Sequence, residues 1–394
     1  MSFGNAVISF APQEYRIPLH AGAMKTDVAI IGGGLAGSVL ATVLARRKVN
    51  VTLIEPKRRY PECFKAEKLE PDQWQLLQKY NILETVLPVC ERIEAVQVAS
   101  SGRMLGVAPI LQYGYSYHDL VNRIREDFPD SLNVIWDRVT GIHSSDDIQQ
   151  LELSDGTHLQ SRLAVVATGN VGRLHKELGT RKAMVSRQHS FHFGFNVEPV
   201  NGQFQFDSLT YHGDEQRSGA DYLTIFRIPG AMRANLFTYW KPTEDVVKSF
   251  SANPRRSLTE IMPGLRDILG EFVISSNVER FGIDLYTLDD TVIPGVIYIA
   301  DACQSVCPAT GTGLSKVFTD VDVLLDDKIS LWLDTPGMGT DKIHEYYADA
   351  RKIHTDDRSV NLAMRRRRTA VEVSNIRFQV ERLLSRRRAQ KSLA

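Results

Sequence analysis

The feature that most constrains this chain is an apolar run that ends in glycine. Residues 27–31, Asp-Val-Ala-Ile-Ile, lead directly into Gly32, Gly33 and Gly34, the pattern of a strand buried on both faces of a parallel sheet that then turns sharply. Leu35, Val39, Leu40, Val43 and Leu44 recur at helical spacing, and residues 49–54 predict a second buried strand, which completes a βαβ unit. Gly32, Gly34 and Gly37 fit G-x-G-x-x-G between that strand and helix. The first glycine allows the tight turn, the second lets backbone approach a pyrophosphate with no Cβ in the way, and the third permits close helix packing. The helix start supplies unpaired N–H groups and the positive end of its dipole. Glu55 closes the second strand about 20 residues on, where a carboxylate accepts hydrogen bonds from a ribose diol. The pattern predicts a bound dinucleotide, and FAD and NAD satisfy it equally.

Further along, periodicity divides the chain. Residues 93–108 alternate around Ser-Ser-Gly-Arg as a hairpin, residues 117–127 carry a helical stripe, a strand is expected near 134–139, and residues 163–167 form an apolar strand closed by Thr168-Gly169. From about 188 to 240 the period becomes two: Phe191, Phe193, Phe195 and Val197 alternate with His192, Gly194 and Asn196, and 205–211, 221–228 and 232–240 read as further strands. Residues 243–268 read as helical with a break at Asn253-Pro254, 272–285 as one long strand, and 292–300 as a strand running into a second glycine-rich turn at 301–315. The expected architecture is α/β: a Rossmann-like dinucleotide domain formed by 25–185 and 286–340, an inserted antiparallel sheet at 186–285 helped by the 93–108 hairpin, and a C-terminal basic helical segment at 341–394. Residues 1–24 are read as an N-terminal extension.

Composition removes other classes. The 394 residues are 43% hydrophobic and 24% charged, with 47 basic and 47 acidic side chains, so a disordered chain and a nucleic-acid binder are both disfavoured. Four cysteines, Cys63, Cys90, Cys303 and Cys307, are too few for a disulfide framework, and no second Cys/His pair stands at zinc spacing, so no metal is expected. No apolar stretch suits a membrane span or a signal peptide, which makes the cytoplasm the expected location. Residues 341–394 nevertheless hold 14 Lys/Arg against 7 Asp/Glu. Within them Val373, Ile376, Val380, Leu383 and Leu384 form the apolar stripe of an amphipathic basic helix, packed on the body or on a second subunit, or else lying on an anionic membrane.

The segment 301–315 resembles the signature of the class A flavoprotein monooxygenases, the group of para-hydroxybenzoate hydroxylase. That signature is a strand ending in Gly-Asp-Ala, a proline seven positions after the Asp, and a glycine-rich turn opening a helix; here stand Ala300, Asp301, Ala302, Pro308, Gly311, Gly313 and Leu314. The resemblance implies FAD, with Asp301 on the ribityl chain, Pro308 beside the flavin where substrate sits, and backbone of Gly313, Leu314 and Ser315 at the pyrimidine edge. It also implies a phosphate-directed Lys65 in Phe64-Lys65-Ala66-Glu67-Lys68-Leu69, an adenine-holding strand at Val139, and arginines at the active site, Arg233 ahead of Arg227. The chain departs from the family in having Thr168-Gly169 for Asp-Gly, Ala300 for Gly, Gln304 and Ser315 for His and Asn, and His118 for Arg.

The activity so implied is hydroxylation of an aromatic or unsaturated small molecule by O2 through a flavin C4a-hydroperoxide, with NADH or NADPH, or a partner flavin reductase, as the source of electrons. His192 and His189 are the candidate proton carriers, Cys303 and Cys307 are read as packing residues, and the aromatic inserted sheet suits an aromatic ligand. The competing readings are a flavin-dependent reductase of an isoprenoid or lipid and a flavin-binding protein without turnover. A halogenase is excluded, since none of the contexts of Trp74, Trp136, Trp240 and Trp332 gives Trp-x-Trp-x-Ile-Pro.

Overall fold

The computed structural model describes residues 24–171, 173–213 and 219–371. Its first sheet grows from the βαβ unit. Strand Met24–Ile31 pairs in parallel with Val51–Ile54 on one side and His158–Val166 on the other, and Asn133–Ile135 adds beyond Val51–Ile54. The far edge of His158–Val166 is shared: its first half pairs with antiparallel Gln149–Leu153, its second half with parallel Val296–Tyr298. Alternate residues of the first strand feed two different cores. Val28 and Ile30 pack with Leu40, Val43, Leu163 and Phe318 under the helices, whereas Ala29 and Ile31 pack with Ile54, Val139, Val166 and Leu288 on the other face. Burial on both faces is why these strands read as continuous apolar runs rather than as alternation.

The second sheet has eight strands and is antiparallel except where Ser208–His212 runs parallel to Val96–Ser100. Its spine is Arg181–Pro199, paired with both Ala231–Thr238 and Glu279–Asp289. Positions 185 and 285, at which the sequence reading divides the chain, therefore lie inside two strands that pair with each other. Other boundaries also shift. The long strand expected at 272–285 is two, Phe272–Ile274 and Glu279–Asp289, and the one near 134–139 is likewise two, Asn133–Ile135 and Val139–His143. The helical stretch breaks where expected: Asn253 caps Pro254–Ile261 by accepting from the Arg256 N–H at 3.2 Å.

The sheet has one greasy and one mixed face. Phe193, Phe195, Val197, Leu223, Ile225 and Leu236 pack with Phe250, Leu258 and Leu265 from the helices at 245–269. His192, Gly194, Asn196, Thr224 and Asn235 lie on the opposite face, which period-two geometry turns toward the first sheet.

The C-terminal helix Ala350–Val371 belongs to this body. Lys316 Nζ meets Asp320 Oδ2 at 3.0 Å and Asp356 Oδ1 at 2.9 Å, while Lys352 Nζ meets Asp320 Oδ1 at 2.9 Å and Asp356 Oδ2 at 3.0 Å. All but Asp356 are fully buried. Asp320 Oδ2 also accepts the Ala300 N–H at 2.7 Å, which ties the four charges to the turn that presents Asp301. Arg366 and Arg367, within the basic C-terminal segment expected to pack on the body or a second subunit or to lie on a membrane, bind the second sheet: Arg366 pairs with Asp221 at 2.9 Å and Arg367 donates to the His189 carbonyl at 2.8 Å. The stripe at 373–384 lies outside the described residues.

Two stability outcomes follow. Lys352→Met strips Asp320 and Asp356 of one cation in a dry site and should cost about 3–5 kcal/mol in urea unfolding. Ala300 has φ +54, where an L side chain is strained by roughly 1–2 kcal/mol, so Ala300→Gly should raise the midpoint by an amount worth about 0.5–1 kcal/mol.

Candidate functional site

Two helix N-termini open from glycine-rich turns. At the first, Gly32 has φ +106, and a Cβ there would sit 2.7 Å from the Ala167 carbonyl oxygen. A Cβ on Gly37 would sit 1.9 Å from the Gly32 oxygen, so the third glycine is what lets helix Leu35–Arg46 rest on the turn. Gly34 differs. It is the N-cap, its φ of −68 suits any residue, no side chain caps it, and a Cβ would meet nothing nearer than Tyr60 Cε2 at 4.0 Å. Protein packing does not require a glycine there, and space for a ligand's phosphates does.

Glu55 is engaged from three sides. Oε2 accepts the Gly33 N–H at 2.8 Å, Oε1 accepts the Lys57 N–H at 3.0 Å, and Arg125 stands 3.5 Å away. Arg125 was not singled out from the sequence. Its buried guanidinium donates to the carbonyls of Gly33 and, at 2.8 Å, Lys57, bracing the phosphate turn from below. Arg125 lies on the buried face of helix Tyr117–Glu126, one turn after Val121, and nothing local shows that a buried arginine there reaches Gly33 and Lys57. Val139 opens strand Val139–His143 with its side chain in the core beside the first sheet.

The second N-terminus is that of Gly313–Val323. Neither Gly311, at φ +69, nor Gly313 has a heavy atom within 4 Å of a would-be Cβ, so this turn too lies open. Ser315 turns its hydroxyl away, to Asp72 Oδ2 at 2.6 Å and Gln73 Nε2 at 3.1 Å, and only its backbone remains at the helix start.

Between this turn and the mixed face of the second sheet is a cavity of ≈ 230 Å³, lined by Pro308, Gly311, Gly313, Leu314, Asp301 and Lys65 on one side. Sheet register builds the other side. His192 is paired with Phe237 and Phe281, and Phe237 with Tyr222; Gly194 is paired with Asn235 and Glu279, and Asn235 with Thr224; Arg233 lies between Asn196 and Phe226. Tyr222 and Phe237 stack at 4.5 Å. Phe64, Glu67 and Phe281 complete the wall and were passed over in the sequence as cavity residues. Phe191, Phe193, Phe195 and Trp240 serve the other face as core.

Arg233 does not itself line the cavity. Its Nε donates to Glu67 Oε2 at 2.9 Å and a terminal nitrogen to Glu279 Oε2 at 2.5 Å, with the guanidinium 5.2 Å over the Phe64 ring. Gly194 makes room for it, since a Cβ there would lie 2.6 Å from Arg233 and 2.7 Å from Phe64. Arg233 therefore acts on the cavity through Glu67. Burial pushes the Glu67 carboxyl up to about 7, against the pull of Arg233. Arg227 is exposed and paired with Asp207 at 2.8 Å.

His192 reaches the cavity wall, yet burial, with His189 nearby, pushes its pKa down to about 3. It is a neutral imidazole across the ordinary pH range, with Nε2 2.8 Å from Ser190 Oγ, which makes it a weak base for the proton-carrier role expected of it. His189 is likewise pushed to about 4 by burial and lies against Tyr239. Cys303 and Cys307 are buried and reduced, and burial raises the Cys307 thiol to about 11, which suits packing rather than redox work. Among the described residues no cluster suited to a metal ion occurs, and no helix is long and apolar enough to cross a membrane.

Known proteins resemble this chain in sequence and in fold. A family model described as FAD binding domain matches residues 25–357. Squalene monooxygenase of Rattus norvegicus is 25% identical in an alignment 346 positions long, gaps included, that covers 78% of this chain and 56% of that protein. The chain thus spans little more than half the length of that relative. 3-demethoxyubiquinol 3-hydroxylase of Escherichia coli strain K12 is 24% identical in an alignment 322 positions long, gaps included, that covers 76% of this chain and 79% of the other. The crystal structure of p-nitrophenol 4-monooxygenase PnpA from Pseudomonas putida DLL-E4 has the same fold, with a TM-score of 0.75 at 15% identity and 94% of each chain covered.

The two glycines of the first turn should separate on substitution. Gly34→Ala should leave apoprotein stability within about 1 kcal/mol but weaken FAD binding at least tenfold by fluorescence titration, whereas Gly37→Ala should lower stability by about 3 kcal/mol or more through its backbone clash.

Proposed function

The chain belongs to the family of FAD binding domains, and on that premise we propose that it is a monooxygenase hydroxylating a small aromatic or unsaturated molecule with O2. Support for FAD at this site comes from two uncapped helix starts whose glycines leave open space on the cofactor side. The N–H groups of Gly34 and Leu35 would hold the phosphates, Glu55 the ribose, Lys65 and Asp301 the middle of the cofactor, and the helix start at Gly313 and Leu314 the pyrimidine edge. Bound FAD supplies the electron transfer and the activation of oxygen.

The observation that carries the reading is the cavity between Pro308–Thr310 and an aromatic sheet face. Its ≈ 230 Å³ is shared with the flavin edge that Asp301, Gly313 and Leu314 would hold, and it lies below the roughly 300–1,000 Å³ usual for drug-sized ligands, which favours a compact substrate. Phe64, Tyr222, Phe226, Phe237 and Phe281 offer ring faces and exclude water, so reactive oxygen species are spent on the substrate rather than released. Arg233 fixes Glu67 at the wall, and the neutral His192 closes the far end. The names of the rat and Escherichia coli relatives, a monooxygenase and a hydroxylase, support the same reaction type. We place the enzyme in the cytoplasm, drawing electrons from NADH or NADPH directly or through a partner reductase.

The purified protein should be yellow. With NADH or NADPH, alone or with a flavin reductase, and small aromatic compounds, O2 uptake should match product carrying one oxygen atom from labelled O2. A reduced product formed without O2 uptake would replace this reading with that of a reductase.

A further inference from the structure

Within the cavity proposed to bind substrate, one corner has more hydrogen-bond acceptors than the protein supplies donors for. Both hydrogen bonds of Glu67 fall on Oε2, from Arg233 Nε at 2.9 Å and Asn235 Nδ2 at 3.2 Å. Oε1 receives none among the described residues. Asn235 is also fixed: because its Nδ2 donates to Glu67, the amide cannot turn over without placing two oxygens together, and its Oδ1 is buried without a partner. Both residues line the cavity. A buried acceptor without a donor costs about 1–3 kcal/mol, so the buried Asn235 Oδ1, with the unpartnered Glu67 Oε1 in the same corner of the cavity, points to a donor that arrives with the ligand.

The charges point the same way. Arg233 lies between Glu67 and Glu279, one cation for two carboxylates. The other charged groups around the cavity, Lys65 and Lys68 with Glu70 and Asp301, balance one another in number. The Glu67 corner is therefore a site for a polar hydrogen.

Resting on the reading of this cavity as the substrate site, we propose that Glu67 and Asn235 form an acceptor pair that selects substrates carrying an O–H or N–H group on the aromatic or unsaturated skeleton. Glu67 receives that hydrogen and holds the molecule in one orientation. Where the group is acidic enough, the proton passes to the Glu67 carboxylate: the substrate O–H or N–H bond breaks, its electron pair stays on the substrate, and a carboxylic O–H forms. Arg233 and Gly194 are the positioning residues, one setting the carboxylate and the other leaving room for it.

The sign of the pH dependence follows. With the Glu67 carboxyl raised to about 7 by burial, the group is protonated below that pH and becomes a full acceptor above it. Binding of a neutral hydrogen donor should therefore strengthen as pH rises from about 6 to 8. In Glu67→Gln the amide oxygen must face Arg233, which leaves the NH2 toward the cavity and converts the acceptor into a donor.

The experiment uses the FAD-loaded protein and reads the shift of its visible spectrum on titration with 4-ethylphenol and 2-naphthol against their methyl ethers, 4-ethylanisole and 2-methoxynaphthalene. The wild type should bind each hydroxyl compound at least tenfold more tightly than its ether, with the preference growing through pH 7. Glu67→Gln should keep its flavin, lose the pH dependence and reduce the preference to threefold or less. Asn235→Leu should lower it by a smaller factor, giving a second test should Glu67→Gln fail to fold. Equal binding of phenol and ether by the wild type, absence of binding by any of the four, or an unchanged preference in Glu67→Gln would each overturn the proposal. Because binding is read without turnover, failure of the monooxygenase reading would show separately, as absence of oxygenated product from a protein that still discriminates the hydroxyl group.

Discussion

Four charges, three of them fully buried, tie the second glycine-rich turn to the C-terminal helix. Lys316, Asp320, Lys352 and Asp356 join the helix that opens at Gly313 to the C-terminal helix, and Asp320 reaches on to the Ala300 N–H. Each ion would be costly to bury alone, and the arrangement is tolerable because every cation meets two carboxylates and every carboxylate meets two cations. The second glycine-rich turn, the strained residue that precedes Asp301 and the helix that binds the large sheet through Arg366 and Arg367 are thereby joined in one network of contacts.

The cavity is a product of strand register. Alternate residues of Arg181–Pro199 put phenylalanines into the helix-covered core and His192, Gly194 and Asn196 on the other face. Neighbouring strands set Tyr222, Phe237 and Phe281 beside His192, and Asn235 and Glu279 beside Gly194. A one-residue slip would exchange the two faces and abolish the site. Glycine at 194 is as necessary as the aromatic rings, because any side chain there would displace Arg233 and Phe64 and with them the Glu67 carboxylate.

Much of this was legible in the chain, and the reasons differ by residue. Gly32, Gly34 and Gly37 declare themselves because a tight turn, an open cradle and a backbone contact each need a missing Cβ, and those needs recur at fixed spacing. The segment around Gly313 was readable as a glycine-rich turn after a strand, and its role came from its resemblance to the flavoprotein signature. Arg125 and Glu67 were not: each lies on a short local element of ordinary composition, and each gains its meaning from a partner far away in sequence, Gly33 for the first and Arg233 for the second. His192 was readable as a cavity residue but not as a neutral one, since its pKa is set by burial that only packing creates.

Local spacing by itself determined that the chain would make a parallel sheet with a glycine cradle, add an alternating sheet, and bind a dinucleotide. These follow from steric rules acting within a few residues, which a sequence carries intact. Packing alone decided which carboxylate faces the cavity, which arginine supports it, and that the run at Arg365–Arg368 contributes clamps to the fold. Those outcomes depend on burial and on charges brought together across the chain, and solvation and Coulomb energies are set by distance in space rather than along the sequence.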